Sequence, residues 1–363
     1  MSWFHVDAGA MDAPVAFGRM PMLAAAVVSA GTPMLMTGMF GRGHFQIGWF
    51  EDVDAVLDLE AARERGVDVF RRPIWGGGTA FYDTDAVSLL SFFLPDDAFA
   101  TLDEALDAHR PVMRGALDAV GLGEAAFEGS SDIRWRGRKL GTLISQSVLG
   151  TKVVGGFFNL RPPDLATYAA VAHPPEEKFA DKDVSDPLAY LCAPAELRGS
   201  DLPYEELRDA IVREAKAAGM DLVARGFTPE EEAGVEGFVA TVSADDWVRR
   251  VSSERFRGAA PPGTRVGFAN HKGKKLVRAG VAVDAGGTIA RAMMAGDMHL
   301  SPPDVMDRMA AALEGGQAAD RDDVRARAAA VLGAGDVSQP DETAGITADD
   351  CAIAVVRAAE RAA

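Results

Sequence analysis

Apolar positions along the chain change period several times, and each change marks an element. Phe45, Ile47 and Trp49 alternate with other residues at the two-residue period of a strand, and Gly41 to Gly43 precede them, so residues 34–50 predict a hairpin. From 52 to 65 the period lengthens: Val53, Val56, Leu57 and Ala61 share one side of a helix that Gly66 should stop in a left-handed conformation. Residues 67–70 predict a strand, and 89–94 are apolar almost throughout, the pattern of a strand covered on both faces. Helical spacing returns over 101–120, where Pro111 removes a donor and predicts a kink or a break. Strands are predicted at 133–140 and 153–160, and residues 161–164 cap a short helix. A helix over 205–218 carries Leu207, Ile211 and Ala215 and ends at Gly219.

Ala259-Ala260-Pro261-Pro262-Gly263 interrupts both periods and reads as a linker, which predicts a large domain over 1–258 and a smaller one over 264–363. In the second, 277–283 and 289–294 alternate around an Asp-Ala-Gly-Gly turn as a hairpin. Ser301 and Pro302 start a helix with Val305, Met309 and Leu313 on one stripe, and a last helix over 347–361 carries Ile353, Val356 and Ala359.

Composition narrows the classes. With 363 residues, 48% hydrophobic and 25% charged, the chain has the length of about two domains and is not disordered. The apolar stretch 20–30 is short of the ~18 to 20 residues of a membrane span, and Asp7 and Asp12 stand where a signal peptide is basic, so a cytoplasmic protein is expected. A net charge of -17 repels nucleic-acid phosphates, leaving nucleic acid and membrane outside the expected partners. Cys192 and Cys351 form neither a disulfide framework nor a paired metal motif, and six scattered histidines lack zinc-ligand spacing.

Two stretches carry candidate chemistry. In RRPIWGGGTAFYD, residues 71–83, three glycines permit close approach of backbone to a ligand, and Arg71 and Arg72 bring planar donors suited to carboxylate or phosphate. A tight turn with solvated arginines has the same local composition. Neither Gly-x-Gly-x-x-Gly nor a Walker loop is present. Residues 131–160 hold a basic island, in which strand alternation would put Arg134, Arg136 and Arg138 on one face and Lys139 on the other, toward a pocket or toward solvent at an edge.

These stretches resemble the biotin and lipoate ligase superfamily, specifically lipoate-protein ligase. Residues 71–83 are similar to its Arg-Arg-x-Ser-Gly-Gly-Gly-x-x-x-His-Asp signature, 131–140 to its Asn-Asp-x-x-x-x-x-x-Lys-Ile segment, 175–182 and Asp245-Asp246-Trp247 to later parts of its large domain, and 264–316 to its accessory domain. The resemblance implies an α+β fold with a mixed β-sheet core and flanking helices, plus a small α+β accessory domain. It implies an enzyme that activates lipoate with ATP and Mg2+ as lipoyl-AMP and passes the acyl group to a lysine of lipoyl-domain acceptors, the 2-oxoacid dehydrogenase E2 or the glycine cleavage H protein. Lys139 matches the catalytic lysine and Asp132 the aspartate, taken as the metal ligand. Arg71, Arg72, Trp75, Gly76, Gly77, Gly78, Tyr82 and Asp83 match the positions that hold acyl group and nucleotide, and a basic patch of Arg134, Arg136 and Arg138 would dock the acceptor.

The chain departs from the signature at several places. Pro73, Ile74 and Trp75 separate the arginines from the glycines by one residue more, Trp75 stands where a small Ser is common, Tyr82 replaces the His, and Ala86 replaces an Asn. Octanoyl transferase, which uses a cysteine and no ATP, is the nearest alternative, but its thiol position falls near His173-Pro174 and Cys192 sits in an apolar run. Biotin ligase, which the Gly41-Arg42-Gly43-His44 turn superficially suggests, and a binding protein without turnover are the others.

Overall fold

The computed structural model describes residues 2–73, 77–129, 131–179, 191–339 and 345–362. Its strands are β1 (Ser2–Met11), β2 (Met34–Phe40), β3 (His44–Ile47), β4 (Asp68–Arg71), β5 (Ala80–Tyr82), β6 (Val87–Pro95), β7 (Ala126–Glu128), β8 (Asp132–Trp135), β9 (Arg138–Val148), β10 (Thr151–Asn159), β11 (Asp221–Ala224), β12 (Arg265–Lys272), β13 (Leu276–Val283) and β14 (Ile289–Gly296). The architecture is α+β, as expected. An eight-stranded sheet runs β11-β1-β2-β6-β10-β9-β8-β7, and two three-stranded sheets run β4-β3-β5 and β12-β13-β14. The large sheet is mixed, because β1 pairs in parallel with β2 and β11 while β2, β6, β10 and β9 pair antiparallel.

Contacts divide the chain into two compact units, residues 1–44, 82–165 and 186–241, and residues 45–81, 166–185 and 242–363. In the first, strand alternation sends successive side chains to opposite faces of the sheet. Met34, Met36, Phe93 and Val153 pack with Leu23 and Val27 of the helix Ala13–Ala30. Leu35, Leu90, Phe92 and Val154 pack with Leu117 and Ile211 of the helices Leu102–Ala119 and Tyr204–Ala217. β6 is buried from Val87 to Leu94, which is why its sequence lacks alternation. In the second unit, β12 to β14 pack with the helices Val305–Leu313, Arg321–Leu332 and Ala348–Glu360 through Val281, Met309 and Val355, and Phe45, Ile47, Val56 and Val171 form a smaller cluster.

Several sequence expectations are corrected. Residues 34–50 are no hairpin, since β2 joins the large sheet and β3 a small one. The helix expected over 52–65 is two, Val53–Val56 and Leu59–Glu64, because Leu57 is extended and the Asp58 carboxylate caps the second by accepting from the N–H groups of Glu60 and Ala61. Pro111 does not divide the helix Leu102–Ala119. Ser301 does not start the helix Val305–Leu313, which follows Asp304; instead its N–H and carbonyl pair with Ser338. The first thirty residues, read only as a short apolar run, hold β1 and an 18-residue helix that is apolar and long enough, by length and composition, to cross a membrane, though it buries Phe17, Leu23 and Val27 in this fold.

Close strand packing explains Gly156. A Cβ there would lie 1.8 Å from the Thr142 carbonyl oxygen. Gly156→Ala should therefore destabilise by about 2 kcal/mol through backbone displacement, seen as a lower urea midpoint with an unchanged m-value.

Candidate active site

In the second unit the two arginines of the signature have different fates. Arg71, at the end of β4, is fully buried. Its Nη1 donates to the carbonyls of Gly48 (2.7 Å), Trp49 (3.0 Å) and Glu51 (2.9 Å), its Nη2 to Val248 (2.8 Å) and Val251 (3.3 Å), and its Nε to Val248 (3.0 Å) and Trp247 (3.2 Å). The Trp247 indole N–H returns a bond to the Arg71 carbonyl at 2.9 Å. Burial, helped by Arg250 and opposed by Glu51, Asp52 and Asp54, lowers the guanidinium to about 10, so it stays charged at neutral pH. Its donors are spent on backbone, which corrects the expectation that Arg71 holds a ligand.

Arg72 lies along the glycine turn. Its Nη2 donates to the Gly78 carbonyl at 2.7 Å, laying the guanidinium across the glycine turn. Gly77 has φ +76°, and a Cβ on it would come within 2.8 Å of that Nη2, so the turn requires glycine for both conformation and space. Glu51, which no sequence signal marked, anchors the turn by accepting from the Thr79 hydroxyl (2.7 Å) and the Gly48 N–H (3.1 Å). Trp75 and Gly76 lie outside the described residues.

In the first unit the strand expected over 133–140 is the hairpin β8–β9, turning at Arg136 (φ 49°) and Gly137 (φ 74°). The turn shifts the alternation, so Arg134, Arg136 and Arg138 do not form one face. Arg134 pairs with Asp132 (2.6 Å), Arg136 lies over the Trp135 ring at 4.5 Å, and Arg138 pairs with Glu196. Lys139 Nζ lies 2.9 Å from Asp132 Oδ1, with the two side chains 32% and 16% exposed. Asp132 Oδ2 accepts from Arg134. With both oxygens held by cations, and no group of three or more His, Cys, Asp or Glu that could hold a metal ion among the described residues, Asp132 as placed does not fit a metal ligand.

The segment beside Lys139 contains Cys192, whose N–H donates to the Lys139 carbonyl at 2.9 Å. The thiol is buried, donates to the Arg138 carbonyl at 3.6 Å, and is pushed up to about 11 by burial, against the opposing charge of Arg138. Cys351 is buried too and is pushed up to about 12. Tyr82 packs among Phe40 (5.2 Å), Phe157 (5.3 Å) and His44 (5.5 Å). His44 donates to or accepts at Nδ1 opposite the Arg42 carbonyl; because a carbonyl only accepts, Nδ1 carries the proton, and burial lowers the ring to about 4. Asp83 accepts from the N–H groups of Thr84 (2.7 Å) and Asp164 (2.9 Å), a turn-fixing role. A cavity of about 10 Å³ lined by Ser88, Leu90, Met113 and Leu207 has room for one water at most, not an acyl chain.

Residues 41–216 match the lipoyl protein ligase A/B catalytic domain. This segment belongs to that family. The fold is similar to a bipartite lipoate protein ligase from Thermoplasma acidophilum, solved in a study that includes its E2 lipoyl domain (18% identity, 69% of this chain and 97% of that chain, TM-score 0.58). It is also similar to P. falciparum LipL1 in complex with lipoate (12%, 90% and 93%, 0.61) and to lipoate-protein ligase A bound with ATP (16%, 69% and 100%, 0.56). Comparison of the sequence with curated proteins gives no match.

Arg71→Ala would strand the second-unit carbonyls that Arg71 satisfies. A loss of about 3 kcal/mol or more is expected in urea unfolding, with Arg71→Lys recovering only part of it. Cys192 has on the order of one thiolate in a thousand at pH 8. Iodoacetamide should accordingly label Cys192 in the native chain far more slowly than in urea, and equal rates by peptide mass analysis would contradict its burial.

Proposed function

We propose that the chain is a cytoplasmic, ATP-dependent lipoate-protein ligase. The observation that carries the reading is a contrast: both cysteines are buried with raised thiols, while Lys139 is half-exposed and fixed by Asp132. A transferase needs a thiolate to accept the acyl group. Without one, the acyl group must be activated as an anhydride.

In this reading a lipoate carboxylate oxygen bonds to the α-phosphorus of ATP, and the bond from that phosphorus to the leaving oxygen breaks, its electron pair departing with pyrophosphate. An acceptor lysine amine then attacks the acyl carbonyl and AMP leaves. Lys139 supplies positive charge to the phosphate oxygen that gains charge. Magnesium enters with ATP as part of the substrate, and no step uses a protein metal site. The acceptor would be a lipoyl domain of a 2-oxoacid dehydrogenase E2 or the glycine cleavage H protein. Proteins of similar fold that were solved with ATP, with lipoate and in a study of an E2 lipoyl domain support these choices.

The test is the intact mass of a purified lipoyl domain after incubation with this chain, lipoate, magnesium and ATP. A lipoyl mass gain that needs ATP is expected, and Lys139→Ala should slow it by about 10²- to 10³-fold. A gain from octanoyl-carrier protein without ATP would indicate the transferase. No gain from either donor would leave a binding protein without turnover, the reading that Trp75, Tyr82 and Ala86 favour.

A further inference from the structure

In the first unit, Lys139 stands where the large sheet itself does little to hold it. The ladder between β10 and β9 covers β9 only from Gly141 to Val148, so Arg138, Lys139 and Leu140 run on past it. On the other side, Lys139 pairs with Arg134 just beyond a register shift, next to the turn at Arg136 and Gly137. Its remaining neighbour is a segment distant in sequence. Leu191 forms a parallel bridge with Lys139, and the Cys192 N–H donates to the Lys139 carbonyl at 2.9 Å.

An isolated bridge is a weak ladder, and side chains from three elements fasten it. Asn159, the last residue of β10, donates from Nδ2 to the Cys192 carbonyl at 3.1 Å, so its amide extends the grip of β10 after the backbone ladder has ended. Arg138 Nη2 donates to the Leu191 carbonyl, and the same guanidinium meets the Glu196 carboxylate. Glu196 Oε1 also accepts from the Ala193 N–H at 3.1 Å, at the start of the helix Pro194–Arg198. Together the three close residues 191–193 onto the backbone of Lys139. The Arg138 and Glu196 side chains are 36% and 37% exposed, and an ion pair in that setting adds little stability, so its effect is on placement. Placement matters here because the Lys139 ammonium moves with the backbone that carries it, and a charge aimed at a reacting group loses its effect over small displacements. We infer that Arg138, Asn159 and Glu196 are positioning residues: by clasping residues 191–193 they set the backbone from which the Lys139 ammonium reaches Asp132. The catalytic consequence rests on the ligase reading; the clasp does not.

Two readouts on the full-length chain test this. The first is acetylation of Lys139 by an N-hydroxysuccinimide ester, followed by peptide mass analysis with the exposed Lys216 as internal reference. In Glu196→Ala and Asn159→Ala the Lys139 rate is expected to rise about threefold relative to Lys216, as its pairing with Asp132 loosens. Glu196→Gln, which keeps an acceptor for Arg138 and for Ala193, should stay near wild type. The second readout is lipoyl transfer, where the two alanine variants should lose about tenfold in kcat with KM for ATP and lipoate unchanged. The urea midpoint of Glu196→Ala should match that of the wild type, which separates misplacement from loss of fold. Wild-type labelling of Lys139 in folded Glu196→Ala, or an unchanged kcat in an active enzyme, would overturn the inference. If the wild-type chain shows no ATP-dependent lipoylation, the ligase reading falls and labelling alone decides the clasp. If lipoylation is present and neither readout moves, the clasp falls and the ligase reading stands.

Discussion

The second unit is organised around a buried positive charge whose donors go to backbone carbonyls. Carbonyls of Gly48, Trp49 and Glu51 on one side and of Trp247, Val248 and Val251 on the other point into one buried spot. Unpaired, each would cost about 1 to 3 kcal/mol, and no neutral side chain offers enough donors to serve them. A guanidinium offers five in one plane, and the carbonyl dipoles in turn make its burial tolerable. One side chain thus joins segments that lie far apart in sequence, and a lysine could not replace it.

This constraint also sorts the two arginines. Successive residues at the end of β4 face opposite ways, so once Arg71 is drawn inward, Arg72 is directed outward across the glycine turn. The arginine pair is therefore divided: Arg71 holds the fold and Arg72 lies along the glycine turn. Composition alone treats the two as equivalent. Only the inward carbonyls distinguish them, and those are a property of tertiary structure.

Much of the fold was readable where the signal is local. The almost wholly apolar run of β6 announced a strand covered on both faces, and Gly66 and Gly219 stop their segments with φ of 67° and 87°. The hairpin of β13 and β14 and the order of the signature motifs were equally legible. What could not be read is pairing at a distance. Alternation in β2 and β3 shows that each is a strand but not which sheet it joins, and the parallel neighbours of β1 come from residues 34–40 and 221–224. The turn at Arg136 was hidden because an arginine in the left-handed region is uncommon, and missing it misaligned every basic side chain around it.

The same distinction between residue type and placement bears on the chemistry. A cysteine whose backbone is bonded to the Lys139 strand has the right identity for acyl transfer, but burial holds its proton, and the nearby Arg138 charge, drawn toward Glu196, does not reverse this. Lys139 has the opposite circumstances. Asp132 fixes its ammonium without enclosing it, and is itself also bound by Arg134. A partly exposed ion pair of this kind adds little stability, and its effect is to orient the cation. The aspartate that resembles a metal ligand in sequence is, in this fold, the holder of the lysine.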